Sequence, residues 1–171
     1  MQYLCKKKIE MDKIIGMGNA LVDVLATLND DQILNEMELP KGSMTLIDET
    51  KLLIINECFS EMETELATGG SAGNAIRGMA CLGAGTGFIG KVGNDFFGDQ
   101  LRAAIKEAGI DDIGLCTDEK IHTTLAMVHT YPDGDRDFSF YRNPGADMML
   151  NKTEIPEDIL KETEMQISKK L

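Results

Sequence analysis

The sequence predicts an α/β fold in which a parallel sheet carries a small antiparallel appendage. Residues 14–25 and 86–89 are nearly continuous apolar runs, which are typical of parallel strands covered on both faces. Stretches with helical spacing separate the strand-like runs, and this alternation favours an α/β architecture. Residues 123–130 and 136–141 alternate between apolar and polar positions and flank Asp133-Gly134, which is a good hairpin turn. We expect this hairpin to project from the sheet.

The first half of the chain predicts two helices and a short extended piece after its opening strand. Residues 14–25 are long enough for one strand followed by a turn or a second strand. Residues 29–38 have helical spacing, and Pro40 ends that helix. A second helix opens at Asp48, since aspartate is a favourable N-cap. Residues 65–68 are extended and lead into a glycine-rich segment.

The second half adds further helices and a glycine-rich loop. This loop, residues 90–98, is interpreted as structural, with Asn94 or Asp95 capping the helix that follows it. Helices are predicted over residues 75–82, 99–108 and 155–164.

The composition limits the classes of partner. The 171 residues include 17 Lys and Arg against 29 Asp and Glu, which gives a formal net charge of −12. Such a balance repels nucleic acid and anionic membranes. No apolar run is long enough to cross a membrane. The four cysteines lie far apart without a C-x-x-C pair, which argues against a structural zinc site and favours reduced thiols in the cytoplasm.

The amino terminus is interpreted as an extension and not as a signal peptide. Three lysines at positions 6–8 are followed by no long apolar region. Met11 stands directly before the strand-like run, so we take it as the natural start and residues 1–10 as a disordered extension.

The first motif with chemical potential is the segment GMGNALVD, residues 16–23. A dinucleotide fingerprint would need a third glycine where Leu21 stands, so an oxidoreductase is a poor interpretation. The other interpretation places Asn19 and Asp23 at the carboxyl end of the first strand, where open α/β sheets bind ligands. An aspartate there can accept two hydrogen bonds from vicinal hydroxyls of a sugar. A local structural role for Asp23 explains the same pattern.

The second motif is GGSAGN, residues 69–74. Its glycines let the backbone approach a ligand closely, and a helix beginning near Asn74 would aim N–H groups at that ligand. Asn74 can also donate to a hydroxyl or accept from one. A tight strand-to-helix turn is an equally good interpretation of these residues alone.

The hairpin around Asp133-Gly134 carries Phe138, Phe140, Tyr141 and Arg142. A two-stranded ribbon is not stable by itself, so it must pack on the core or close over a ligand as a lid. His122 and His129 stand seven residues apart on a predicted strand, hence on opposite faces, and we predict no metal site.

Together these segments resemble the ribokinase-like (PfkB family) carbohydrate and nucleoside kinases. The resemblance runs from about Lys13 to Glu164 and rests on GGSAGN through Leu82-Gly83, on FIGKVG at 88–93 and on DFFG at 95–98. The segments DGDR at 133–136 and FYRNPGAD at 140–147 are similar to fructokinases. The segment GNALVD at 18–23 is closer to adenosine kinases.

The resemblance implies a three-layer α/β domain with a small β-sheet lid. It divides the chain into residues 1–10, a kinase portion at 11–164 with lid segments at about 25–47 and 120–145, and an atypical polar tail at 165–171. It also implies a substrate site. The residues expected to bind the substrate are Asp23, Asn19, Gly69, Gly70, Ser71, Asn74 and Arg142.

The resemblance also implies what the chain does not carry. Such kinases have a glycine-rich anion hole and a general-base aspartate in a later motif, and this sequence stops before it, so we expect the carboxyl-terminal half to be missing and assign no catalytic residue. ATP and Mg²⁺ are the cofactors expected of the full-length protein. A homodimer through the lid is the expected assembly.

Three functions remain open. The leading one is the amino-terminal, substrate-binding portion of an ATP-dependent sugar kinase, with the lid segment favouring a hexose such as fructose. The alternative from the first-strand segment is an adenosine or other nucleoside kinase. The third is a non-catalytic fragment that binds sugar weakly or serves in assembly.

Overall fold

The fold is described from a computed structural model. It describes residues 13–27, 35, 39, 44–60, 62–131, 135–161 and 163–168, the last of these through their backbone only. The predicted helix at 29–38, the extension at 1–10 and the Asp133-Gly134 turn lie outside the described residues, apart from Asn35. The elements are β1 (Lys13–Met17), β2 (Leu21–Thr27), β3 (Met44–Ile47), α1 (Glu49–Ser60), β4 (Thr64–Gly69), α2 (Ser71–Cys81), β5 (Thr86–Gly93), α3 (Phe96–Glu107), β6 (Leu115–Asp118), β7 (Thr124–Thr130), β8 (Arg136–Tyr141), α4 (Glu157–Lys161) and β9 (Thr163–Ser168).

The first sheet is parallel throughout and has the strand order β6-β5-β1-β9. All eight residues of β5 are buried, as expected for a parallel strand with both faces covered. Gly16 in β1 has no room for a side chain, because a Cβ there would come within 2.2 Å of Ile76 in α2. The first sheet and α2 are therefore in close contact.

The second sheet is mixed and has the strand order β3-β8-β7-β2-β4. β2 runs parallel to β7 and antiparallel to β4, while β8 runs antiparallel to β7 and parallel to β3. The predicted hairpin forms the β7–β8 pair. The sheet takes residues 21–27 and 64–69 as well, so it is larger than the lid segments that the sequence suggested.

The two sheets share one core. Successive residues of a strand point to opposite faces, so β2 gives Val22 and Val24 to that core and turns Leu21 and Leu25 to the other side. We call this other side, which carries Leu21, Leu25, Phe138 and Phe140, the outer face of the second sheet. The main members of the shared core are Val22, Val24, Ile55, Ile76, Phe88, Val92, Leu101, Ile105, Leu125 and Met127.

Two helix starts show how the sequence fixes the loops around the site. Asp95 caps α3, as predicted, by accepting a hydrogen bond from the Gly98 N–H at 2.8 Å. Gly70 precedes α2 with φ 89°, a conformation that favours glycine. α2 begins at Ser71, which is earlier than the predicted start at residue 75.

The structure differs from the sequence predictions in two further segments. Strand β5 continues to Gly93, so the first part of the predicted 90–98 loop is strand. The predicted helix at 155–164 is the shorter α4, and residues 163–168 form β9 beside β1 instead of a polar tail. The alternation of polar residues with Met165 and Ile167 is the strand pattern that this prediction overlooked. No helix in the described part of the chain is long and apolar enough to span a membrane.

Candidate functional site

A cavity of about 290 Å³ opens on the outer face of the second sheet. It lies where the connection from β1 to β2, the start of α2 and the end of β8 come together. In the sheet register, Asp23 of β2, Ala126 of β7 and Phe140 of β8 are neighbours in one row, and the small Ala126 side chain leaves space between the two larger ones. The residues that line the cavity are Asn19, Leu21, Asp23, Met44, Gly70, Ser71, Phe138, Phe140 and Arg142.

Asp23 is the acidic group of the cavity. It is the third residue of β2 in the second sheet, so the prediction that it stands at the end of the first strand is wrong. Burial raises the pKa of its carboxyl group, and the nearby Arg136 charge lowers it in part. Within the described residues, the Asp23 carboxylate accepts no hydrogen bond. Such a half-buried carboxylate has free lone pairs for hydroxyl donors.

Gly69 and Gly70 allow the backbone to come close to these polar groups. A Cβ on Gly69 would lie 2.4 Å from the Asp23 Oδ1 atom, and a Cβ on Gly70 would lie 2.4 Å from the Asn19 carbonyl oxygen. The contact at Gly70 is with backbone and its φ of 89° favours glycine, so glycine is required there. At Gly69 the contact is with side chains, so a Cβ would displace the Asp23 carboxylate and Leu21. The close approach brings the start of α2 next to Asp23 and Asn19.

Asn19 adds a second unpaired acceptor. It lies two residues after β1, and its Oδ1 atom is buried without a hydrogen-bond partner among the described residues. A buried amide oxygen that lacks a partner is costly, and such groups are rare in folded proteins. A ligand hydroxyl that donates to this oxygen would remove the cost.

The amino terminus of α2 contributes backbone donors and Ser71. The first N–H groups of a helix have no partner inside it and carry a partial positive charge. Asn74 does not line the cavity: its N–H donates to the Gly70 carbonyl at 2.9 Å and its side chain is exposed. The structure thus does not bring Asn74 into the cavity with Asp23.

Arg142 is the basic group of the cavity, and an ion pair fixes its position. Its Nη2 atom donates to Asp147 Oδ2 at 2.5 Å and its Nε atom donates to Asp147 Oδ1 at 3.3 Å. Thr124 Oγ1 donates to the same Asp147 Oδ1 at 2.5 Å. Gly145 is needed beside this group, because a Cβ there would lie 1.8 Å from the Thr124 hydroxyl.

An apolar wall completes the cavity. Phe138 and Phe140 stack at 6.2 Å between ring centroids, and Met44 on the adjacent β3 lies opposite Phe138 in the register. Apolar walls with a few polar groups are typical of small-molecule sites. The cavity therefore fits a small ligand with hydroxyls on one side and C–H groups on the other.

Five of the seven predicted binding residues line this one cavity, namely Asn19, Asp23, Gly70, Ser71 and Arg142. Gly69 and Asn74 do not line the cavity, although Gly69 is in close contact with the Asp23 side chain. The sequence prediction missed Asp147 and Thr124. The spacing from Arg142 to Asp147 across Asn-Pro-Gly could have suggested a turn that pairs them, but no sequence rule used above places Thr124 beside them.

Lys91 and the two histidines lie outside this cavity and are engaged elsewhere in the fold. Lys91 is buried in β5 and pairs with Asp118 at 3.0 Å and with Glu154 at 2.7 Å, so its ammonium serves the fold. His122 stacks on Tyr141 at 3.9 Å between ring centroids, while His129 is buried in β7. Among the residues that the structure describes, no group of three or more His, Cys, Asp and Glu side chains could hold a metal ion.

The fold and the cavity define a class of protein: an α/β domain in which the start of a helix and a second, mixed sheet enclose a small cavity with polar groups and an apolar wall. Sequence comparison gives the family, because residues 44–170 match the pfkB family carbohydrate kinases. The chain belongs to this family.

The most similar curated relatives found include plant fructokinases. The chain is 43% identical over 95 residues to fructokinase-1 of Oryza sativa subsp. japonica, a match that covers 56% of this chain and 29% of that protein. It is 40% identical over 99 residues to the protein named probable fructokinase-5 of Arabidopsis thaliana, with 58% of this chain and 31% of that protein covered. The match thus spans less than a third of each of these two relatives.

Solved structures share the fold of nearly the whole chain. The adenosine kinase of Sinorhizobium meliloti superposes with a TM-score of 0.73 at 28% identity and covers 91% of this chain and 46% of its own. The fructokinase of Xylella fastidiosa gives 0.68 at 26% identity, with 92% and 41% covered. These similarities confirm the predicted ribokinase-like α/β fold, and the chain spans less than half of each neighbour.

Proposed function

We propose that this chain is the substrate-binding portion of an ATP-dependent sugar kinase of the fructokinase type. One observation carries the proposal: the Asp23 carboxylate lies in a cavity without a hydrogen-bond partner among the described residues, beside the start of α2. Unpaired, half-buried carboxylates are expensive, and hydroxyl donors of a ligand offset that cost. The plant fructokinase relatives support a sugar as that ligand.

The geometry suggests how a polyol would be held. Ionised Asp23 accepts hydrogen bonds from two vicinal hydroxyls, because a carboxylate has acceptor sites on both oxygens. Asn19 accepts from a third hydroxyl through Oδ1, and the first N–H groups of α2 donate to hydroxyl oxygens. Phe138 and Phe140 cover the C–H side of the sugar.

The phosphoryl-transfer step belongs to the whole protein in this proposal. The fructokinase of Xylella fastidiosa has been solved with bound ATP, which supports ATP as the phosphoryl donor. In the part of the chain that the structure describes, no acidic cluster suited to Mg²⁺ is present, so we assign neither ATP nor Mg²⁺ to particular residues. No catalytic residue is assigned in this chain.

The assembly proposal is a homodimer through the outer face of the second sheet. Met44 and Leu46 of β3 lie on that face and are 74% and 60% exposed. Exposed apolar groups on a sheet face favour association with a second copy. We also place the protein in the cytoplasm, since Cys58, Cys81 and Cys116 are free thiols.

An adenosine kinase is the second candidate function. The adenosine kinase of Sinorhizobium meliloti superposes at a TM-score of 0.73 and 28% identity, which supports it. Adenosine also presents vicinal hydroxyls, so Asp23 would serve both ligands. The identity of 43% to a fructokinase favours the sugar.

Isothermal titration of the chain with D-fructose, D-ribose and adenosine tests the proposal. The expected result is a preference for D-fructose. Tighter binding of adenosine would support the nucleoside alternative. Absence of binding by all three ligands would contradict both kinase proposals and favour a non-catalytic assembly module.

A further inference from the structure

The ion pair between Arg142 and Asp147 affects which ligands the cavity can hold. Arg142 lines the cavity with 29% of its side chain exposed, whereas the Asp147 side chain is fully buried at 0%. A guanidinium at the edge of a ligand cavity is the best protein group for binding a carboxylate or a phosphate, because it can donate two parallel hydrogen bonds. Here the nitrogens Nε and Nη2 already donate to Asp147.

We infer that Asp147 is a specificity-determining residue: it neutralises Arg142, so that the cavity accepts an uncharged polyol and rejects sugar acids and sugar phosphates. The inference rests on the proposed polyol site. Asp147 does not line the cavity itself and acts through Arg142, which makes it a positioning residue.

The charges of the cavity carry the inference. Among its lining residues, Asp23 and Arg142 are the charged ones. Since Asp147 balances Arg142, the negative charge of Asp23 is left in excess, although Arg136 acts on it electrostatically. An anionic ligand would meet a net negative cavity and a guanidinium that already gives two of its five N–H groups to Asp147, which also balances its charge. A neutral polyol meets unpaired acceptors. Rejection of a competitor through charge is a common source of specificity.

Hydrogen bonds and close packing hold the Asp147 side chain in one position. Thr124 Oγ1 donates to Asp147 Oδ1 at 2.5 Å, and Gly145 leaves the space for this contact. Because Thr124 begins β7 in the second sheet, the carboxylate is anchored to the same sheet that carries Asp23. The guanidinium is thereby held in one orientation at the cavity.

The test compares the affinities of D-fructose and D-gluconate, a six-carbon pair that differs in charge, for the parent chain and for Asp147→Asn. Asparagine keeps the oxygen that accepts from Thr124 and removes the charge that balances Arg142. We expect the affinity ratio of gluconate to fructose to rise by about tenfold or more, the equivalent of one charge-assisted hydrogen bond. The double variant Arg142→Met with Asp147→Asn should return the ratio toward that of the parent, which a purely structural role of Asp147 would not produce.

The outcomes separate the inference from the function on which it rests. Fructose binding with an unchanged ratio in Asp147→Asn overturns the inference alone. If the variant does not fold, the parent chain decides: gluconate binding as tightly as fructose overturns the inference, and clear rejection of gluconate supports it. If neither ligand binds the parent, both the proposal that the cavity binds a polyol and the inference about Asp147 are contradicted.

Discussion

The junction between β5 and α3 and the outer face of the second sheet each hold one partly buried aspartate, and the two differ in their partners. Asp95 accepts hydrogen bonds from the Thr123 N–H at 2.7 Å, the Thr123 hydroxyl at 2.7 Å and the Gly98 N–H at 2.8 Å. Asp23 accepts none within the described residues. Both carboxylates lose part of their hydration, yet only Asp95 is compensated by the protein.

The pKa shifts follow from this difference. Burial acts to raise the pKa of Asp95, but the hydrogen bonds from Thr123 and Gly98 outweigh it and the pKa falls below its ordinary value. Burial raises the pKa of Asp23, and the Arg136 charge offsets only part of that effect. A fully bonded carboxylate stabilises the fold, whereas an unbonded one in a cavity is available to a ligand.

Removal of the Asp95 carboxylate should give the largest effect on folding. Asp95→Ala leaves the Thr123 and Gly98 donors without an acceptor and removes the cap of α3, so we expect a loss of about 3 kcal/mol in the free energy of unfolding. Asp95→Asn is the matched control, because it keeps one acceptor oxygen, and it should lose less. Urea denaturation measures both, and equal stability of Asp95→Ala and the parent would show that the junction does not depend on this network.

The two aspartates should respond to pH with opposite signs. The folded pKa of Asp95 is lowered, so its stabilisation is present above 3.8 and is lost as the pH falls below that value. The folded pKa of Asp23 is raised, so the folded state binds more protons than the unfolded state just above 3.8. The cost of Asp23 is therefore present at neutral pH and disappears as the pH falls to 3.8.

Stability measured across pH for three proteins separates these contributions. The parent should be less stable than Asp23→Asn at neutral pH, and that gap should close on acidification. The gap between the parent and Asp95→Ala should instead open as the pH rises through and above the lowered pKa of Asp95. Gaps that are constant with pH for both variants would contradict the assigned shifts.

Substitution of Asn74 should give the smallest effect. The side chain is exposed and does not line the cavity, so Asn74→Ala should change polyol affinity less than about twofold and unfolding free energy by less than about 0.5 kcal/mol. Calorimetry and a thermal melt measure the two quantities. A loss of affinity above tenfold would mean that the helix start reaches the ligand differently from this structure.

Several regular elements were predictable from the sequence because their signals are local, whereas the short strands β3 and β6 were not predicted. The apolar run at 86–89 predicted β5, and the position of Asp95 before an amphipathic stretch predicted the cap of α3. β9 was not predicted because its polar residues suggested a tail, although polar and apolar residues alternate along it as in a strand. The sequence also did not show that β2 belongs to the second sheet. Its membership depends on pairing with β4 and β7, which are distant in sequence.

The sequence indicated which residue types line the cavity, while their binding roles stay a prediction. Glycines, a carboxylate and an arginine carry recognisable chemistry, and five of the seven predicted residues line the cavity. The sequence did not reveal that Asp147 and Thr124 hold Arg142 in place, because these residues meet only in the folded second sheet. Long-range side-chain contacts of this kind leave no periodic signal in the sequence.

The measurement that tests the central claim most directly is the affinity of D-fructose for Asp23→Asn, taken together with the stability of that variant. Loss of about two charge-assisted hydrogen bonds predicts an affinity roughly 100-fold weaker than that of the parent, with unchanged or higher stability. Asp99→Asn, which removes an exposed carboxylate in α3, is the matched control and should bind like the parent. Parent-like fructose affinity in Asp23→Asn would contradict the account, because the carboxylate would then have no part in holding the sugar.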